Sequence, residues 1–291
     1  MKKNKKIAVI GGDMRQIHIA RYYNEIGYDT VLFANDLSEG KCFRHEGSVY
    51  DALSGNFLLI LPLPLSRDKK TLNAPFQEKN ISLHEIYSLA CETPYIALPA
   101  KNDMITEYLS KDSRIIEYAV SESFLLKNAR ATVEGAISIA INETDKTVFD
   151  SVYAVTGYGR IGKLLVSALT ALGAKVKLFA RKKNDRILAC AAGAESFDIS
   201  EIESNIYDAD VVINTVPEVI MREKELSAIG ENTLIIELAS LPGGVDKDIA
   251  ELLGVRIINA QSLPGKFSPR SSALFIAESI SESLGSMGVS L

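Results

Sequence analysis

The sequence predicts an α/β protein built from two doubly wound parallel-sheet domains. Short apolar runs alternate with helical patterns from one end of the chain to the other. The series breaks once, at the polar stretch 142–147, and then starts afresh. At 291 residues, 47% hydrophobic and 24% charged, the chain has the length and composition for two globular domains.

In the first half, strands are expected at 7–10, 30–34, 56–61, 95–98 and 115–119, each apolar and bounded by turn residues. A helix at 16–26 is ended by Gly27, with weaker helices at 83–91 and 104–109. The longest helical pattern is 122–141, where Ala129, Val133, Ala136, Ile137 and Ala140 recur at three- and four-residue spacing. In the second half, strands are expected at 152–156, 175–179, 211–215, 233–238 and 256–259. Helices are expected at 160–172, 185–192, 224–229, 246–253 and 272–284. The expected division is a flavodoxin-like substrate domain at 1–128, a connecting helix and linker at 129–150, a nucleotide domain at 151–268, and a C-terminal segment, 269–291, whose helix packs back on the first domain.

A net charge of −5 gives no general attraction to nucleic acid or anionic membrane, so neither is expected as a partner. No apolar run approaches the ~20 residues of a membrane span. The apolar stretch at 7–10 is too short for a signal peptide, which makes a cytoplasmic location the expectation. The cysteines, Cys42, Cys91 and Cys190, are odd in number and far apart, so they are read as reduced, packed side chains, and no metal site is expected.

Gly157-Tyr158-Gly159-Arg160-Ile161-Gly162 is G-x-G-x-x-G between a predicted strand and a predicted helix, the context that makes this pattern a dinucleotide site. Gly157 permits the tight turn, Gly159 lets backbone approach the pyrophosphate, and Gly162 lets the helix pack on the strand. The helix amino terminus supplies N–H donors and partial positive charge. The nucleotide domain is therefore read as a Rossmann fold, in an architecture related to two-domain hydroxyacid dehydrogenases. Residues 157–163 also match the first seven positions of the phosphate loop of nucleotide triphosphatases, but Leu164 stands where Ser or Thr would hold magnesium.

The second strand of this half runs into Arg181, Lys182 and Lys183. An acidic residue there would bond the ribose 2′-hydroxyl of NAD, whereas Arg suits the 2′-phosphate of NADP. NADP is expected, with NAD the alternative. Thr215, Val216 and Pro217 after one strand, and Ala239 and Ser240 after the next, are the loops expected along the nicotinamide side. All three histidines, His18, His45 and His84, precede the nucleotide domain, which excludes the acid/base histidine that hydroxyacid dehydrogenases place there. Tyr-x-x-x-Lys, G-x-S-x-G and H-E-x-x-H are also absent.

With these residues in place, the chain resembles the dipicolinate synthase A-subunit family. The likeness rests on the opening Gly11-Gly12-Asp13-Met14-Arg15-Gln16, on Thr132-Val-Glu134-Gly135-Ala136-Ile137, on the glycine loop, and on Ile213-Asn-Thr215-Val-Pro217. It continues through Leu238-Ala-Ser240-Leu-Pro-Gly243-Gly244, Leu263-Pro-Gly265 and Pro269-Arg270, and is least over 38–81. The resemblance implies a nicotinamide-binding subunit that works with a smaller, flavoprotein-like B-subunit. Together they would oxidise a dihydrodipicolinate-type compound of the lysine pathway to dipicolinate in the mother cell of a sporulating bacterium.

A small dicarboxylate of that kind needs cations, and Arg15, Arg130, Lys266 and Arg270 are the candidates to bind it. Asp13 and Glu134 are candidate proton acceptors as the ring aromatises, with His18 a weaker one. Two alternatives stay open: a stand-alone NADP-dependent dehydrogenase of another small carboxylic acid, and a non-catalytic NADP-binding subunit.

Overall fold

The computed structural model describes residues 3–36, 43–101, 105, 107 and 114–289. The chain divides into two compact units, one of residues 1–128 with 268–291 and one of residues 129–267.

The first unit has a sheet of β1 (Lys3–Ile10), β2 (Tyr28–Phe33), β3 (Arg44–His45), β4 (Leu58–Ile60), β5 (Tyr95–Leu98) and β6 (Arg114–Glu117). All pairs are parallel, in the order β3-β2-β1-β4-β5-β6. That is the Rossmann order 3-2-1-4-5-6 rather than the flavodoxin order 2-1-3-4-5, because after β2 the chain adds β3 on the far side before crossing back to β4. Both faces are covered, which is why the central segments 7–10, 31–33, 58–60 and 96–98 are apolar without a break. Ile7 and Val9 pack on one face with Ile276 and Ile280, and Ala8 and Ile10 pack on the other with Leu83 and Ile86. Among the described residues, the α-helices of this unit include α1 (Met14–Glu25), α2 (Val49–Leu53), α3 (Leu83–Leu89), the first residues of α4 (Glu122–Glu143), and α11 (Pro269–Ser286). α11 starts with Pro269 in its first turn, where a missing N–H costs nothing, and lies against α1.

The second unit repeats the plan. Its sheet contains β7 (Val152–Thr156), β8 (Lys175–Phe179), β9 (Glu195–Phe197), β10 (Val211–Asn214), β11 (Leu234–Glu237) and β12 (Arg256–Asn259), ordered β9-β8-β7-β10-β11-β12, again 3-2-1-4-5-6. α4 from Ala129 onward and α5 (Arg160–Ala171) cover the face that carries Tyr153 and Val155. α7 (Ile202–Asn205), α8 (Glu223–Ser227) and α9 (Lys247–Leu252) cover the face that carries Ala154 and Val212. α6 (Lys183–Ala191) leads into β9, and α10 (Leu263–Phe267) follows β12. α5 stops at Gly173, whose φ of +85° ends the helix in a left-handed turn.

The helix expected at 104–109 and Cys42 fall largely or wholly outside the described residues. Cys190 is exposed, with its sulfur 3.0 Å from Ser196 Oγ, and Cys91 is half-buried, so neither is the packed core side chain expected. No helix among the described residues is long and apolar enough to cross a membrane.

Candidate functional site

The glycine turn sits at the carboxyl end of β7, the first and central strand of its sheet. Gly157 has φ +87° and donates its N–H to Phe179 O at 2.9 Å, which ties the turn to the end of β8. A Cβ on Gly162 would fall on the Gly157 carbonyl, so no other residue lets α5 pass this close to the turn. A Cβ on Gly157 would lie 2.7 Å from Thr215 Oγ1 and 2.9 Å from Val216 Cγ2, so the loop after β10 is seated on the turn. Thr215 in turn donates to Thr156 O at 2.7 Å.

Gly159 differs from these neighbours. It is the N-cap of α5, it makes no side-chain cap, and a Cβ placed on it would meet nothing within 4 Å. The space beside Gly159, at the amino terminus of α5, is therefore open, and a helix amino terminus with room in front of it could hold a pyrophosphate. Tyr158 is half-buried, and its phenol pKa is raised by burial and by Asp185.

At the end of β8, Ala180 is buried, and Arg181, Lys182 and Lys183 are exposed. Arg186 fixes this bend. Its Nη1 donates to Ala180 O at 2.8 Å and to Arg181 O at 3.0 Å, and pairs with Asp198 at 2.5 Å. Arg181 Nη1 lies 3.9 Å from Glu218 Oε2, with both side chains more than 70% exposed (75% and 72%), so the pair contributes little and leaves the guanidinium available to an anion. The open space at Gly159 and the cationic bend together fit a dinucleotide bearing phosphate.

The loops after β10 and β11 rest on two polar side chains that no sequence motif singles out. Asn214 and Glu237 are buried at the last positions of their strands. A polar residue closing an otherwise apolar strand is the signal that marks them, in Val-Val-Ile-Asn214 and Leu-Ile-Ile-Glu237. Pro217 and Ser240 are exposed, Val216 is half-buried and Ala239 is buried.

In the first unit, Asp13 caps α1 by accepting from Arg15 N at 3.1 Å. The Arg15 side chain folds back on the same carboxylate, Nε to Oδ1 at 2.9 Å and Nη2 to Oδ2 at 2.8 Å, and also donates to Leu63 O. Arg15 is 4% exposed, so this cation is built in with its counter-ion rather than displayed, while 30% of the Asp13 side chain is exposed. His18, one turn further along α1, is half-buried. Arg270 lies exposed in the first turn of α11.

The remaining candidates belong to the second unit. Arg130 and Glu134 are exposed one turn apart on α4, a spacing that puts both on one helix face. Lys266 is exposed on α10. Gly135 lets α4 and α10 approach closely, since a Cβ there would lie 3.0 Å from Leu263 Cβ and 3.2 Å from the Phe267 ring. The structure thus gathers the cofactor candidates at one sheet edge and joins Asp13 to Arg15.

Residues 6–119 match the N-terminal domain of the dipicolinate synthase A-subunit, and residues 130–263 match the NAD-binding domain of S-adenosyl-L-homocysteine hydrolase. The chain is 30% identical over 287 residues to the dipicolinate synthase A-subunit of Bacillus subtilis (strain 168), covering 96% of this chain and 95% of that protein. It superimposes on the crystal structure of the dipicolinate synthase A-subunit from Bacillus halodurans with a TM-score of 0.82 at 27% identity, covering 98% of this chain and 99% of the other. An L-alanine dehydrogenase shares the fold, with a TM-score of 0.61 at 16% identity over 97% of this chain and 90% of the other. These likenesses and the glycine turn describe a subunit of NAD(P)-linked dehydrogenase type, and the chain belongs to the dipicolinate synthase A-subunit family.

Proposed function

We propose that this chain is the nicotinamide-binding subunit of a dipicolinate synthase, which oxidises a dihydrodipicolinate-type intermediate of the lysine pathway to dipicolinate in the cytoplasm of a sporulating mother cell. The single observation that carries the reading is the family match over 96% of this chain; the open glycine turn at the edge of the second sheet supports it. The proposed cofactor is NADP, on the strength of Arg181 and Lys182 where an NAD site would have an acid. The proposed partner is a smaller, flavoprotein-like B-subunit.

The reaction removes two hydrogens from the ring, one as hydride and one as proton. When bound, the cofactor supplies the two-electron acceptor. The residues of this chain do the rest. Gly157, Gly159, Gly162 and the first turn of α5 hold the pyrophosphate, and Thr215, Val216, Pro217, Ala239 and Ser240 line the nicotinamide side. Arg130, Lys266 and Arg270 are the proposed cations for a dianionic substrate. Arg15, expected among them, is 4% exposed and neutralised by its bidentate pair with Asp13, so it is left with a structural role at the start of α1. Asp13 and Glu134 are the proposed proton acceptors. Because the product is aromatic, the ring itself drives proton loss and a histidine dyad is unnecessary.

The test follows dipicolinate by ultraviolet absorbance from freshly generated precursor and NADP⁺, with the spontaneous rate subtracted. A signal above background only when both proteins are present supports the reading. Turnover by this chain alone makes it a self-sufficient dehydrogenase, and NADPH binding without turnover in either condition makes it a non-catalytic component. Full activity in both Asp13→Asn and Glu134→Gln would remove the proton acceptors from the account.

A further inference from the structure

Three buried polar side chains lie in one lateral row at the carboxyl ends of β7, β10 and β11. Thr156, Asn214 and Glu237 are register partners across the sheet and are 0%, 0% and 2% exposed. Thr156 Oγ1 donates to Asn214 Oδ1 at 2.5 Å, and Asn214 Nδ2 donates to Glu237 Oε1 at 2.6 Å. Glu237 also accepts the Ala239 N–H on Oε1 and the Gly244 N–H on Oε2, both at 2.9 Å. Asn214 accepts from Val216 N at 3.1 Å and donates to Val216 O at 3.0 Å.

A valine or isoleucine side chain at these strand ends would itself carry no desolvation cost, whereas a carboxylate buried on one amide and two backbone N–H groups does. What the carboxylate achieves is the shape of two loops. It holds residues 239–244 directly and residues 214–216 through Asn214. The glycines of Pro242-Gly243-Gly244 are required by the same row. A Cβ on Gly243 would lie 3.1 Å from Glu237 Oε2 in a backbone of φ +87°, and one on Gly244 would lie 2.6 Å from Asn214 Cγ. The Gly244 carbonyl then accepts from Ile220 N and Met221 N, both at 2.9 Å, which joins the two loops on their far side.

In a dinucleotide crevice the turn after β8 serves the adenosine half, and the loops after β10 and β11 serve the nicotinamide half. We propose that Glu237 is a positioning residue for the nicotinamide ring, fixing the loop 239–244 directly and the loop 214–216 through Asn214, whose amide Thr156 orients. The inference rests on the cofactor reading above and adds to it the buried group that shapes the reactive end of the site. Ser240 and Leu241, both exposed at the tip of the held loop, are what the carboxylate positions.

The test compares whole cofactors with the same molecules lacking the nicotinamide ring. NADPH, NADH, 2′-phospho-ADP-ribose and ADP-ribose are titrated calorimetrically into the wild type, Glu237→Gln and Thr156→Val. Glutamine keeps the shape of the side chain but loses an acceptor, so one N–H of the 239–244 loop is left unpaired. The expected result is about tenfold weaker binding of NADPH and NADH in E237Q, with the two ring-less ligands changed less than about twofold. T156V removes only the hydroxyl at the far end of the row, carries less risk to folding, and is expected to show the same pattern at about threefold. Equal losses for whole and ring-less ligands would reduce the row to a structural role, and no loss in either variant would also overturn the proposal. If the wild type binds none of the four, the cofactor reading falls and takes this inference with it.

Discussion

Gly11 and Gly157 occupy the same place in two sheets of the same strand order. Each follows the first strand of its sheet, each has a positive φ (+63° and +87°), and each donates its N–H to the last residue of the adjacent strand, Phe33 at 2.8 Å and Phe179 at 2.9 Å. Beyond that point they diverge. In the first unit the chain fills its own crevice. Gly12 N donates to Asn73 O at 2.7 Å, a Cβ on Gly11 would lie 2.7 Å from Leu72 Cδ2, and Asn35 donates from its side chain to Gly11 O at 2.5 Å. The Asp13 carboxylate already caps the helix at the position where phosphate would sit. In the second unit the space beside Gly159 is open, and Arg181 stands where Asn35 stands in the first, directly after a Phe-Ala pair. A shared sheet order thus says little about ligands, and what fills the turn decides whether a dinucleotide enters.

Substitutions at the two turns separate folding from binding. The largest effect is expected for Gly162→Ala, whose Cβ falls on the Gly157 carbonyl. Overpacking against backbone should cost about 3 kcal/mol in denaturant unfolding and abolish NADPH binding. Gly12→Ala, with φ +77° and a Cβ 2.8 Å from Pro62 Cβ, should cost about 2 kcal/mol yet leave the NADPH affinity of the folded protein unchanged. Gly159→Ala should do the reverse, altering stability by less than about 0.5 kcal/mol while weakening NADPH more than about tenfold. A Gly12→Ala variant that lost cofactor affinity while folded would break the comparison.

Arg181→Ala sharpens it further. NADPH should weaken by about tenfold, or 1.4 kcal/mol, and NADH hardly at all, in paired titrations. The smallest effect concerns pH. Asp198 is held below the usual carboxylate range by the Ser200 N–H and hydroxyl, and then by Arg186, the residue that ties down the Arg181 bend. A depressed carboxylate contributes stability above its unfolded pKa and loses it as pH falls through its folded value. The melting-temperature difference between wild type and Asp198→Asn should therefore be present at neutral pH and shrink toward zero on the acid side of the carboxylate range.

Much of the fold was legible in the sequence. β5, β7, β8 and β12 begin and end where the apolar pattern places them, because each carries a short run of apolar residues set off by polar or turn residues. β3 and β9 were missed. They have two and three residues, β9 offers only Phe197 as an apolar signal, and its pairing with Lys177–Phe179 is a tertiary event. The glycine turn was readable because the motif assigns each glycine its own reason, steric for Gly157 and Gly162 and room for a ligand at Gly159. The role of Arg15 was not, since its bidentate return to Asp13 depends on cap geometry and not on spacing. Glu237 was equally opaque, because its three donors come from residues 2, 7 and 23 positions away and meet only when the sheet has formed.

The most direct test of the contrast between the turns is the calorimetric stoichiometry of NADPH binding, measured in the wild type, Gly159→Val and Gly12→Ala. One site per chain, lost when valine fills the space beside α5 and kept when the first turn is altered, is the predicted result. Two sites per chain, or one that survives Gly159→Val, would contradict the account.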